Sequence, residues 1–444
     1  MDIASLAVRS ASRLGATETE AYVQRSRIIQ IGFADRVQDI NYAESMGLGL
    51  RVALGRRTAM HSTSILTEDE VGRAAENAMK IARVAPEDPH WEHLNRRFGG
   101  STVEGCFDER IESIRYGEIM ERLGPAIAVM KERDRRVKPT RGLLTLVSSK
   151  LFVSNSYGEH IEGRGTGATA WMTVKAEDAG LESTGSEHQE ARSWGDIDLE
   201  TMAGSTVDKA IGFLEAKPVK GGVMPVIIRN QVAASIVEVM LSSPINADIV
   251  QKGGSPLAGK LGELIAAENI RIIDDGTMPR GFGSHLFDDE GHPTQRTPVI
   301  ENGVLRNFLY DNYTALKDGI DSTGNAKRSD YSSPPNPTPT NLILERGESC
   351  VDEIIEETKR GLYVENVIGE WLSNPVSGNL NATVTHGYVV EGGELGHPVK
   401  GVVLSGNFYE LLKDGFEAIG DDMRNSGGYY SPTVKIRKLT VAGE

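Results

Sequence analysis

Residues 282–294, Phe-Gly-Ser-His-Leu-Phe-Asp-Asp-Glu-Gly-His-Pro-Thr, hold two imidazoles and three carboxylates within a few positions. His285 and His292 flank Asp288, Asp289 and Glu290. Zinc takes His, Cys and carboxylate ligands, so His285 with Asp288 or His292 is a candidate metal set. Against it, a structural zinc site needs four defined ligands, and these are not spaced for one. The competing reading is a loop that feeds a strand. Residues 287–311 then run turn, strand, Glu-Asn-Gly turn and strand, and the acids satisfy turn amides or face solvent.

The other chemical motifs are weaker. Gly-Arg-Gly-Thr-Gly-Ala at 163–168 fits G-x-G-x-x-A. A dinucleotide loop needs a strand before that pattern and a helix after it, so that phosphate meets a helix N-terminus. Here Thr-Ala-Trp-Met-Thr-Val-Lys follows, which reads as strand, so a bulged or twisted strand is expected instead. There is no H-E-x-x-H and no G-x-S-x-G. Ser255 precedes a proline, unlike a strand-to-helix nucleophile turn. The only cysteines, Cys106 and Cys350, lack a C-x-x-C partner or a nearby histidine, which excludes a zinc knuckle or redox pair. So few cysteines also exclude a disulfide framework and fit a reducing cytoplasm.

These residues need a scaffold. At 444 residues the chain exceeds what one core usually holds, so two or three domains are expected. The net charge of −15 disfavours contact with phosphate backbones. The densest basic cluster, Arg133, Arg135, Arg136 and Lys138, alternates with Glu132 and Asp134 and reads as a solvated helix end. The first twenty residues carry early acids and no apolar core, unlike a signal peptide. No apolar run approaches the ~20 residues needed to span a bilayer.

Along the chain, residues 1–14 read as a helix stopped by Gly15. Strands follow to about residue 60, supported by Tyr22, Ile28, Ile29, Arg51 and Val52. Thr67 and Glu70 form a capping box ahead of the helical stripe Val71, Ala74, Ala75, Ala78, Met79 and Ala82. Prolines and glycines near 85–107 mark a boundary. A helix is expected over 108–132, then a hairpin turning at 155–158, then a helix near 198–215. Residues 216–222 read as a linker. The glycine- and proline-rich remainder holds many short strand runs. The fold class is α+β: an N-terminal two-layer α/β domain (1–107), a central segment (108–218) and a large β-rich, barrel-like C-terminal domain (219–444).

Several phrases together resemble one family. They are Gly-Leu-Gly-Leu-Arg-Val (47–52), the 284–305 segment, Ser-Thr-Gly-Asn-Ala-Lys-Arg (322–328), Pro-Thr-Pro-Thr-Asn-Leu (337–342), the 387–407 segment and Ile-Gly-Asp-Asp-Met (419–423). Their order resembles the TldD/PmbA family, also called modulator of DNA gyrase, over essentially the whole chain. The resemblance implies cytoplasmic proteolysis by a zinc-dependent complex of two related subunits, TldD and TldE (PmbA). The catalytic branch carries H-E-x-x-x-H on a helix after the first strand of the C-terminal domain, and a late cysteine ligand. Two imidazoles there hold zinc, and the Glu acts as base on the bound water. The corresponding place here is 232–250. Val237 and Ser242 stand where the histidines would be, Glu238 remains, and the tail from 420 has no cysteine.

The resemblance therefore implies the TldE/PmbA branch: no catalytic residue and no metal on this chain, with zinc on a TldD-like partner. Glu238, Asp288 and Glu290 are the cleft candidates. The helix at 232–242 should still pack, through Val232, Ile236, Val239 and Met240. The acids at 288–290 become a shared structural turn, and His285 and His292 lie outside the family pattern. Expected partners are the zinc subunit and an unfolded polypeptide or peptide, bound in extended form by strand addition. No direct nucleic acid and no membrane is expected. The alternatives are a stand-alone homodimeric peptide-binding protein, a metallopeptidase using Glu238 with the 285–292 cluster, and a DNA-linked regulator.

Overall fold

The computed structural model describes residues 2–443. The first half of the chain builds a six-stranded antiparallel sheet with helices on one face. Its strands are β1 (Glu18–Phe33), β2 (Val37–Leu54), β3 (Arg57–Thr63), β4 (Val137–Asn155), β5 (His160–Asp178) and β6 (Leu181–Ala191). They lie in the order β3-β2-β1-β4-β5-β6. Strand β1 pairs with β4 from Glu20↔Asn155 to Phe33↔Gly142, so the sheet runs unbroken across the 107/108 boundary.

Side-chain alternation assigns the two faces. Odd residues of β1 (Ala21, Val23, Ile29, Ile31, Phe33) and even residues of β2 (Leu48, Leu50, Val52) are buried. They pack under α1 (Ile3–Arg13), α2 (Glu68–Val84), α4 (Tyr116–Glu132) and α5 (Leu199–Gly212). The caps follow the sequence: Asp2, Thr67 and Asp198 accept first-turn amides of α1, α2 and α5, and Gly15 takes φ 93° just past α1. The single helix expected over 108–132 is two. The short α3 (Glu109–Ser113) ends where Ile114 turns extended to bury its side chain, and α4 starts at Tyr116.

The C-terminal part forms a closed barrel and a second sheet over one core. The barrel strands are β7 (Gly222–Ile228), β14 (Arg360–Ile368), β15 (Asn379–Glu391), β17 (Val402–Asn407) and β21 (Val434–Ala442). Pairing runs β14-β7-β21-β17-β15 and returns from β15 to β14, which closes the ring. Strands β16 (Glu394–Val399) and β18 (Phe416–Ile419) extend it. The second sheet runs β10-β9-β8-β13-β20-β19, built from β8 (Ile272–Asp275), β9 (Arg296–Glu301), β10 (Val304–Leu305), β13 (Leu342–Leu344), β19 (Arg424–Ser426) and β20 (Tyr429–Ser431). A small ladder pairs β11 (Ala326–Lys327) with β12 (Asn336–Pro337). Helix α6 (Asn230–Leu241) follows β7 and shares the core of barrel and second sheet.

The helix-free face of the first sheet meets this body. Gly163, Gly165 and Gly167 share one face of β5 and present no side chain there. A Cβ at Gly163 would stand 2.8 Å from the Phe287 ring, and one at Gly167 3.7 Å from Phe282. The glycine pattern at 163–168 is thus strand, as expected. Its period of two clears a track for the 282–287 loop.

Candidate functional site

The 288–290 acids lie at the junction of sheet and barrel body, and none faces solvent. Glu20 and Arg51 are cross-strand neighbours on the helix-free face, with their charged groups 2.8 Å apart. Arg51 also reaches Glu290 at 2.6 Å. Glu290 is 0 % exposed, and its second oxygen accepts the Asn312 amide at 2.8 Å. Arg328 closes the network on the other oxygen of Glu20. Burial opposes the Arg51 cation, but Glu20 and Glu290 outweigh it and hold its pKa above the ordinary arginine value. Two buried anions meet two buried cations, the arrangement that makes such burial tolerable.

Asp288 accepts the amides of Glu290 (2.9 Å), His292 (3.0 Å) and Ala326 (3.1 Å). Burial, then the charge of Glu290, pushes its carboxyl well above the usual range. Asp289 accepts the Arg328 amide at 2.7 Å and the Tyr22 hydroxyl at 3.3 Å. The histidines diverge. His292 Nδ1 lies 3.3 Å from Asn95 Oδ1, whereas His285 Nε2 lies 3.4 Å from Arg192. Burial, then Arg97, pushes the His292 imidazole down to about 4. Burial also pushes His285 well down, with Lys327 and Arg192 adding.

This geometry corrects two expectations. Glu290 does not line a cleft: it is fully buried, one oxygen pairs with Arg51 and the other accepts the Asn312 amide. The acids satisfy turn amides but do not face solvent. Asp288 does border a cavity of about 220 Å³, with His285, Phe282, Phe287 and Lys327. Among the described residues no three His, Cys, Asp or Glu side chains are disposed to hold a metal.

Helix α6 holds the other candidates. Val232, Ala233, Ile236, Val237, Met240 and Leu241 are buried, the i, i+1, i+4, i+5 pattern of a core-facing helix. Val239, expected with this stripe, is only partly buried. Val237 sits among Ile228, Phe408, Leu411 and Val434 around a void of about 20 Å³, with no polar atom on its lining. The Ser242 hydroxyl, at the end of α6, accepts the Tyr429 hydroxyl at 3.0 Å. Glu238 lies on the other side of the helix, half-buried. Burial, then Glu190 and Glu370, raises its carboxyl pKa. One turn earlier, Ser235 donates to Glu370 at 2.9 Å.

Beside this face lies a polar cavity of about 190 Å³ whose lining includes Glu187, His188, Lys209, Arg229 and Glu370. Lys209 pairs with Glu187 and Glu365, and Arg229 with Glu365. Val237, in an apolar pocket, and Ser242, tied to a tyrosine, do not make a zinc donor set with Glu238.

Sequence reading did not assign Glu20, Arg51, Arg328 or Arg192 to any site. One signal was available: Arg51 interrupts the apolar run Gly-Leu-Gly-Leu-Arg-Val-Ala-Leu, and a charge there demands a partner.

The PmbA/TldA metallopeptidase C-terminal domain profile matches residues 221–443, the central-domain profile 109–214 and the domain 1 profile 19–82. The chain belongs to the PmbA/TldD metallopeptidase family. A metalloprotease of Methanothermobacter thermautotrophicus is 31% identical over 70% of this chain and 71% of its own length. A metalloprotease TldD homolog of Buchnera aphidicola is 24% identical over 96% of this chain and 90% of its own. TldE from Thermococcus kodakarensis superposes with a TM-score of 0.92 at 24% identity, covering 99% of this chain and 100% of its own. A Thermotoga maritima protein, described as a candidate modulator of a DNA gyrase, gives 0.89 at 27% identity and 99% of both chains. The α+β architecture is thus that of TldE, and the two cavities described above belong to a PmbA/TldD metallopeptidase fold.

Proposed function

We propose that this chain is the metal-free, TldE-like subunit of a cytoplasmic two-subunit metallopeptidase, acting with a TldD-like zinc subunit on unfolded or short peptides. The observation that carries this reading is α6. At the two positions where the family's catalytic branch places its zinc histidines stand a valine packed among apolar side chains and a serine bonded to Tyr429. Glu238 persists between them, but a carboxylate without an imidazole or thiolate beside it is a poor zinc anchor. The short edge strand β19 lies beside α6 and offers main-chain pairing to an extended peptide, which is tolerant of sequence. The net charge of −15 argues against direct DNA contact, so an effect on gyrase would run through turnover of a polypeptide.

The test is co-purification from the native cells, with metal analysis and peptide hydrolysis. A complex with a related subunit that carries the zinc, together with an inactive and zinc-free isolated chain, supports the proposal. Stoichiometric zinc on the isolated chain, or chelator-sensitive hydrolysis by it, overturns it. A homodimer with no second subunit would instead favour a stand-alone peptide-binding protein.

A further inference from the structure

The cavity of about 220 Å³ under the 282–294 loop is not used by the ion network or by α6. Its lining combines His285, Asp288 and Lys327 with the apolar surfaces of Phe282, Phe287 and Pro339. Its electrostatics are unusual. Arg192, 6 % exposed, forms no ion pair among the described residues. Its guanidinium is held by the carbonyls of Gly281 (3.0 Å), Thr166 (2.9 Å) and Ser284 (2.6 Å). A buried cation without an anion is costly.

The next group outward is His285, whose Nε2 faces Arg192 at 3.4 Å. A guanidinium has only donors, so Nε2 must present its lone pair. The ring proton of the neutral imidazole is therefore on Nδ1, which has no hydrogen-bond partner among the described residues. At the rim, the exposed Lys327 forms no ion pair among the described residues. The two acids on the wall do not compensate: Asp288 and Asp289 aim their oxygens at the amides of Glu290, His292, Ala326 and Arg328 and at the Tyr22 hydroxyl. The cavity therefore offers a donor, a free ammonium and a buried cation behind them, against apolar walls.

We infer that this cavity is a carboxylate-binding subsite, in which His285 Nδ1–H and the Lys327 ammonium hold the carboxylate while Phe282, Phe287 and Pro339 take an adjoining apolar group. The volume is below the roughly 300–1,000 Å³ of pockets that enclose a whole small molecule, so it suits one terminal residue of a longer ligand. That the ligand is a peptide rests on the function proposed above; the carboxylate chemistry does not. The β19–β20 turn supports the connection. Gly427 borders this cavity and its neighbour Ser426 borders the polar cavity beside α6, so the two cavities adjoin across this turn.

The experiment uses the full chain, labelled at histidine Cε1 and titrated by NMR with three probes. These are N-acetyl-Ala-Ala-Phe with a free carboxylate, its C-terminal amide, and N-acetyl-glutamate α-amide. The site predicts that the His285 resonance responds to the free acid and that the amide binds at least ~10-fold more weakly, the loss of one charge-assisted bond. Lys327→Gln, at an exposed position, should weaken the acid by a similar factor, and Lys327→Arg should restore it. Either carboxylate binding supports the subsite, and the ratio of acid to glutamate probe names the terminus or an acidic side chain as its source. Equal binding of acid and amide, no response of His285 at the solubility limit, or unchanged affinity in Lys327→Gln overturns it. The readout needs neither zinc nor a partner, so its failure is separable from failure of the two-subunit reading.

Discussion

Arg51 shows what a single side chain does when it is buried between domains. It spans Glu20 of its own sheet and Glu290 of the C-terminal body and is 9 % exposed. Replacing it with methionine keeps much of the volume but leaves two carboxylates with less counter-charge. Removing one partner of a buried pair typically costs ~3–5 kcal/mol. Arg51→Met should therefore lose stability on that scale in urea unfolding, and Arg51→Met with Glu290→Gln should recover part of it. A loss under ~1 kcal/mol would show that the network is not cohesive.

His292 acts through pH. Its imidazole is held at about 4 in the fold, below the unfolded value of about 6.5. A depressed histidine adds stability that is complete above the unfolded pKa and is lost as pH falls through the folded one. Between pH 6.5 and 4 the wild type should thus lose on the order of 3 kcal/mol relative to His292→Gln. Parallel stability profiles for the two would refute the assignment.

At the scale of elements, the local chemistry was legible. Asp2, Thr67 and Asp198 cap where sequence placed helix starts, and the β4–β5 hairpin turns at 155–158. Helix α6 was legible too, because its apolar stripe is strong enough to bury it against the barrel. The break between α3 and α4 was not. Ile111, Ile114 and Ile119 fit one helical period, but Ile114 reaches the core only by leaving the helix.

The face of α6 that turns away from the barrel yields its own prediction. Glu238 is raised by burial and by Glu190 and Glu370, so its ionised form opposes folding. The raised acid favours the fold below its unfolded pKa and loses that benefit as pH rises through the folded value. Glu238→Gln should therefore be more stable than wild type near neutral pH, by on the order of 0.5 kcal/mol after solvent screening, and indistinguishable from it at pH 4. Thermal melts at the two pH values decide this. A Glu238→Gln protein destabilised near neutral pH would mean that the carboxylate has a stabilising partner.

At the scale of the molecule, the least legible features are those that join distant segments. Nothing in the local pattern of β1 announces β4 as its partner, with over a hundred residues between them, nor Arg328 as the mate of Glu20, 308 positions away. Periodicity reports which face of an element is buried, not which element covers it. The consequence concerns autonomy. Residues 1–107 look like a domain in sequence, but β1 lies in the middle of the sheet and would become an edge without β4. A fragment of 1–107 should then be unfolded or aggregated by circular dichroism and amide NMR. A fragment of 1–218 contains all six strands and both helical cores, so it should fold cooperatively, with Glu20 and Arg51 now in water. A folded 1–107 fragment would mean that the β1–β4 ladder joins two finished units, and that the first half of this chain is two domains rather than one sheet.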